Sequence, residues 1–116
     1  MPSDLLHRLT TAPAGSRELD EAVAVAAGWK KGIHHGSSQY QRQDGRWFFN
    51  VPAFTTDLNA TFAEAQRLGL AIAISTYEAI RAQCGDKQHG EFRYYEAATP
   101  ALAACAALIA EIGDQP

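Results

Sequence analysis

The stretch TPALAACAALIAEI, Thr99 to Ile112, dictates how the rest of the chain must be arranged. Threonine followed by proline is a helix start: the hydroxyl caps the first turn, and proline at the first helical position gives up an N–H that would have no partner there. The residues that follow are apolar on nearly every side of a helix. Such a helix is stable in water only when other elements cover most of its circumference. Gly113-Asp114 ends it. The remaining segments must therefore supply the cover.

Working outward, Ala71–Ile74, Ile80–Cys84 and Glu91–Glu96 suit three strands of a meander, with Gly85–Gly90 as a turn before the last. Ahead of them DLNATFAEAQRLG (57–69) reads as a helix capped by Thr56, with Leu58, Phe62, Ala65 and Leu68 on one side and Gly69 at its end. RELDEAVAVAAG (17–28) is a second, capped by Ser16. Glu18 and Asp20 lie in its first turn, where the dipole favours acids, and Gly28 offers the left-handed exit. Its stripe is Leu19, Ala22, Val23 and Ala26. A shorter helix capped by Ser3 carries Leu5, Leu6 and Leu9 and stops at Pro13-Ala14-Gly15. Residues 29–55 show no helical period. Gly32, Gly36-Ser37-Ser38 and Asp44-Gly45 are turn chemistry, and Arg46–Val51 suits a short strand before Pro52. This order predicts the α+β class: an α-β-α sandwich with a small antiparallel sheet between helices.

At 116 residues, 47% hydrophobic and 20% charged, the chain is expected to be one globular domain over 1–116. No apolar run approaches the roughly 20 residues of a membrane span. The start, MPSDLLHRL, lacks the basic-then-apolar layout of a secretory signal. Cys84 and Cys105 fall on apolar positions and read as two buried thiols in a reducing compartment, with nothing requiring a disulfide.

The net charge of −3 is unevenly spread. Residues 30–46 hold Lys30, Lys31, Arg42 and Arg46 against Asp44 alone, and everything else is acidic on balance. Like charge gathered in one segment attracts a partner of opposite sign. The excess is too small for duplex nucleic acid, whose binders are usually basic as whole domains.

The ordered parts RELDEAVAVAAGW, VPAFTTDLNATFAEA and ATPALAACAALIAEI resemble the phage ABA sandwich domain family, small proteins of tailed bacteriophages and prophages. The resemblance rests on Leu19-Asp20, Gly28-Trp29, Pro52-Ala53-Phe54-Thr55-Thr56 and Thr99-Pro100-Ala101-Leu102-Ala103. It spans most of the chain outside 30–51, and Ala53 departs from the tightest form of the middle motif. It implies an α-β-α core and a bacterial host cytoplasm. It implies no activity, because that family is one of unknown function.

His34-His35 lacks the convergent spacing of a zinc site, and Ser37-Ser38 beside it lacks the base and orienting acid of a nucleophile. Solvated loop side chains are the simpler reading of both. No phosphate-binding glycine motif is present and no cofactor is implied. What remains is a basic, aromatic segment. Trp29, Tyr40 and Trp47 offer rings for stacking, Lys30, Lys31, Arg42 and Arg46 offer cations for phosphates, and His34 and His35 lie between. These nine residues are the candidate ligand-binding set. The plainer alternative is that the rings pack on the core and the cations are solvated.

The expected function is a phage-encoded, non-enzymatic protein binding an anionic small molecule, such as a cyclic dinucleotide or ADP-ribose derivative used as a host immune signal. A protein-interaction or virion-associated module is the alternative, and a small hydrolase the third. The small side chains of Ala103, Ala106, Ala107 and Ala110 also suit a helix contact between copies in a homo-oligomer, or burial within one chain.

Overall fold

The computed structural model of the chain describes residues 2–76, 79–85 and 94–113. Among them are four helices and two antiparallel three-stranded sheets, the α+β class that the element order predicts. The order is α1 (Pro2–Thr11), α2 (Arg17–Ala26), β1 (Lys30–His34), β2 (Ser37–Gln41), β3 (Trp47–Phe48), α3 (Leu58–Arg67), β4 (Ala71–Ser75), β5 (Arg81–Gly85), β6 (Tyr95–Glu96) and α4 (Pro100–Gly113). The strands stand in chain order in each sheet, β1-β2-β3 and β4-β5-β6.

Helix α4 is the shared layer. Leu102, Cys105, Ala106 and Ile109, spaced i, i+3, i+4 and i+7, face a core built with Leu5 and Leu9 of α1, Leu19 and Val23 of α2, and Trp29, Tyr40, Val51 and Phe54. Ala103, Ala107 and Leu108 face a second core with Ala65 of α3 and Ala82 and Cys84 of β5, and Ile72 and Ile74 of β4 pack at its margin. A helix apolar all round is thus explained by two cores, one on each side. Leu102, Leu108 and Ile109 are all but fully buried, and each such side chain contributes about 1.5–3 kcal/mol. Ala103, Ala106 and Ala107 are spent on this packing. They are not available as the contact between copies that their small size suggested. Cys84 and Cys105 are free, buried thiols in different cores.

Several local expectations are corrected. The cap of α3 is Asp57, whose carboxylate accepts the Asn59 N–H at 3.0 Å, not Thr56. Ser3 lies inside α1, which begins at Pro2. The buried side of α2 is Leu19, Asp20, Val23, Ala24 and Ala27, turned from the expected stripe. The strand expected over 46–51 is confined to Trp47–Phe48, while the 30–41 region forms a regular hairpin in place of a loop. Of the last strand, Glu91–Arg93 and the turn at 86–90 lie outside the described residues.

Asp20 ties the α2 start to the strand-to-helix crossing before α3. Its buried carboxylate accepts the Thr55 N–H at 2.7 Å, the Thr55 hydroxyl at 2.5 Å and Arg17 Nη1 at 2.9 Å. Gly15 lies against the Thr55 carbonyl so closely that a Cβ there would collide with it. Glycine is required by that approach, not by its backbone angle.

Candidate functional site

The hairpin of β1 and β2 pairs Lys30 with Gln41, Lys31 with Tyr40, Gly32 with Gln39, Ile33 with Ser38 and His34 with Ser37. Its two-residue loop is His35-Gly36, with φ of 51° and 78°. Positive φ at both positions is the turn whose twist matches antiparallel strands, and only glycine adopts it freely. His35 takes the position where asparagine is usual, so the turn is one residue earlier than Gly36-Ser37-Ser38 suggests. Strand β3 continues the sheet with Tyr40 opposite Phe48 and Gln41 opposite Trp47.

Because side chains alternate along strands, this register assigns the candidate residues to two faces. Lys31, Ile33, Ser38, Tyr40 and Phe48 share one. Tyr40 is buried in the first core, and its hydroxyl pKa is pushed up by burial and by the nearby Glu21 carboxylate. Lys31 Nζ lies 5.8 Å from the Tyr40 ring centroid. Ile33, farther toward the tip, is 71% exposed. Strand β1 packs on β2 and, through Gly32 and His34, on Trp47 of β3, and among the described residues no helix packs closely on it. The hairpin therefore stands out from the body as an arm.

The other face carries Lys30, Gly32, His34, Gln39, Gln41 and Trp47. The Trp47 indole reaches across β2 to lie over Gly32, where a Cβ would sit 3.1 Å from its edge. It stacks on His34 with centroids 4.7 Å apart and planes 6° from parallel. His35 meets His34 edge-on at 4.1 Å. Gln39 is buried on this face and donates to the His34 carbonyl at 3.0 Å.

At the base of the arm the chain turns through Arg42–Arg46. Arg42 is committed to Asp44, donating from Nε at 3.1 Å and Nη2 at 2.5 Å, and Asp44 also accepts the Arg46 N–H at 3.1 Å. These bonds hold the Asp44 carboxyl down to a pKa of about 2. Arg42 also lies over the Phe48 ring, 5.1 Å from its centroid. Arg46, Lys30 and Lys31 are exposed.

Trp29 is 3% exposed and no stacking platform. Its Nε1–H donates to Glu64 Oε2 at 3.0 Å, and its ring packs against Phe48 and Phe54. Gln43 donates to the same Glu64 oxygen at 2.8 Å and to the Ala27 carbonyl at 2.6 Å, and accepts Arg67 Nη1 at 3.0 Å. The second Glu64 oxygen has no hydrogen bond of good geometry and faces Arg67, with which Glu64 forms an ion pair. Burial lowers the Arg67 pKa, and the charge of Arg42 lowers it further. The two guanidiniums thus share the rim above Trp29 and Phe48. Glu64, Gln43 and Arg67 were not among the sequence candidates. A glutamate inside an amphipathic helix reads as a surface residue, and only the lack of an apolar residue at 61 and 64, on the face shared with Ala65 and Leu68, hinted otherwise.

The nine candidates therefore do not converge on one hollow. Trp29 and Tyr40 belong to the core, Arg42 is held by Asp44, and Lys30 and Lys31 point to opposite faces. Trp47, His34 and Lys30 share a face. A separate open depression of about 400 Å³ lies where α2, α3 and α4 begin, walled by residues including Gly15, Thr55, Leu58, Thr99 and Pro100. Among the described residues, none of the nine lines it and no charged side chain does. Among the described residues no group of three His, Cys, Asp or Glu side chains is placed to hold a metal, and no helix is long and apolar enough to cross a membrane. Comparison with family models, curated proteins and solved structures finds no match.

Proposed function

We propose that the chain is a non-enzymatic binding protein whose projecting hairpin engages a protein partner, and that it belongs with the phage ABA sandwich proteins its motifs resemble. Its place of action on this proposal is the cytoplasm of an infected bacterium. The observation that carries the proposal is Ile33, a large apolar side chain left 71% exposed on an arm, beside Lys31, on the very face whose inner members are the core residue Tyr40 and the half-buried Phe48 packed against that core. A single exposed apolar residue is ordinary on a surface. On a two-stranded arm with exposed cations at its root, it has the composition of an interface centre with a charged rim. The partner surface that fits is an apolar socket bordered by carboxylates.

The test is affinity capture from infected cells with the native chain and with Ile33→Asp and Lys31→Glu. One partner retained by the native chain and lost with either variant, at unchanged melting temperature, is expected. A partner held equally well by both variants overturns the proposal.

The small-molecule alternative has its own support. Trp47 stacked on His34 next to Lys30 offers a ring edge and a cation on one face, as a nucleotide base and phosphate require. A thermal-shift panel of cyclic dinucleotides and ADP-ribose compounds decides it. Stabilisation by one compound, removed by Trp47→Ala, would replace the protein-partner proposal, whereas a flat panel leaves it in place.

A further inference from the structure

A β-sheet edge presents a row of unpaired N–H and C=O groups, and natural chains guard such edges with charge, brevity or cover. The two described sheets have four such edges. Strand β1 carries Lys30 and Lys31, β3 is two residues long and follows Arg46, and β6 carries Glu96, paired with Arg81. Strand β4 differs. Ala71-Ile72-Ala73-Ile74-Ser75 has no charge and no proline, and among the described residues no hydrogen bond from outside the sheet reaches it. Ala71, Ala73 and Ser75 are exposed on one face, and Ile72 and Ile74 are only half-buried on the other, at the margin of the second core.

The strand is also close to palindromic about Ala73. Laid antiparallel to itself, it sets Ala73 opposite Ala73, Ile72 opposite Ile74 and Ala71 opposite Ser75. Directly opposed residues in an antiparallel pair lie on one face. The four isoleucines of two copies would then close over one another on the core side, with only small residues on the outer side. No like charges meet, because the strand carries none, whereas β1 paired with itself would bring four lysines into the seam. A two-fold axis through Ala73 satisfies both copies with the same patch, the commonest symmetry of soluble assemblies.

We propose that β4 is the contact between two copies of this chain, joining their second sheets into one six-stranded antiparallel sheet. The surface is distinct from the hairpin arm, which both copies leave free. The isoleucine margins left open in one chain supply the apolar part of the interface, and the edge amides supply its direction and register.

Sedimentation equilibrium of the full chain over a wide concentration range is the test, with charge placed at exposed positions of β4. The native chain is expected to be a dimer. Ala73→Lys, which sets two ammonium groups against each other on the axis, is expected to weaken it by about tenfold or more while circular dichroism and melting of the monomer stay unchanged. The double variant Ala71→Lys with Ser75→Glu places opposite charges across the axis and is expected to dimerise, whereas Ala71→Lys with Ser75→Lys is not. This pair also decides the matter should Ala73→Lys fail to fold. A native chain that is monomeric throughout, or a dimer indifferent to the sign of the charges at 71 and 75, overturns the proposal. Ile33→Asp reports separately on the hairpin and is expected to leave the dimer intact.

Discussion

Two buried carboxylates hold this small domain together where apolar packing alone would leave freedom. Asp20 and Glu64 are each about 1% exposed, and each meets an arginine and further donors from a distant segment. A carboxylate so placed is costly to bury unless its oxygens are matched, so removing one partner is felt more than the bond itself. Glu64→Ala, which leaves Trp29 Nε1, Gln43 and Arg67 without their acceptor, is expected to cost about 3–5 kcal/mol in urea unfolding. Trp29→Phe, which removes one donor and three ring atoms, is expected to cost about 2–3 kcal/mol, and the two changes combined less than their sum. The residue scale is where the sequence was least legible. Asp20 at a helix start looks like a dipole partner, and nothing within ten residues reveals that Thr55 will meet it. The burial of both thiols, by contrast, is legible, because burial of cysteine follows from the apolar pattern itself. Burial pushes both Cys84 and Cys105 up to about 12, with Glu111 adding to the first and Asp20 to the second, while the Thr61 hydroxyl opposes it at Cys105. Raised thiol pKa values favour the folded state fully below the ordinary value of about 8.5, and that contribution is lost as pH rises toward 12. At neutral pH a thiol reagent is expected to label neither cysteine until denaturant is added. Rapid labelling of the native chain would contradict the burial of both.

At the scale of elements, helices were legible and the first sheet was not. Helices announce themselves by caps and by a long period, and α2 and α4 begin where Ser16 and Thr99-Pro100 say they should. The hairpin lacks the usual signals. Its turn pair is His-Gly where Asn-Gly is expected, and its strands carry lysines, glutamines and serines with little alternation, because one face is an exposed arm. The candidate site suffered for this reason. Without a register, Lys30 and Lys31 looked like neighbours, whereas the pleat sends them to opposite faces. The turn that follows, Arg42–Arg46, is held by charge and should answer to pH. Asp44 is depressed from 3.8 to about 2, chiefly by the Arg42 guanidinium and then by the Arg46 N–H. A depressed carboxyl favours the folded turn above its ordinary value, and the contribution fades as pH falls from near 4 toward 2. Chemical shifts of Gly45 and Arg46 should therefore move through that window, and Asp44→Asn should abolish the titration. A midpoint near 4 in the native chain would mean that the ion pair is not formed in solution.

The whole molecule is organised by a helix with two working faces, and this has a consequence for how it unfolds. The first core gathers α1, α2, Trp29, Tyr40 and Phe54 on one side of α4, and the second gathers α3 and the β4-β5-β6 sheet on the other. Two cores of this size could melt separately if a loop joined them. Here they share Leu102 through Ile109 on consecutive turns, and α4 cannot lose one face without exposing the other. Small domains built this way unfold in one step. Leu108→Ala tests it. Leu108 is fully buried in the second core, away from both tryptophans in the first half of the chain, and its truncation leaves a cavity costing about 2–5 kcal/mol. Trp29 packs its ring in the first core and meets the elements of the second through its hydrogen bond to Glu64 of α3 and a cation–π contact with Arg67 of α3. If α4 couples the two, Leu108→Ala lowers the midpoint of the tryptophan fluorescence transition by the same amount as the far-ultraviolet dichroism transition, and the curves stay superimposed. If the cores were independent, the fluorescence midpoint would remain at its native value while the dichroism curve split into two steps. The apolar circumference of Thr99–Ile112, visible in the sequence before any other long-range feature, is what makes the first outcome the expected one.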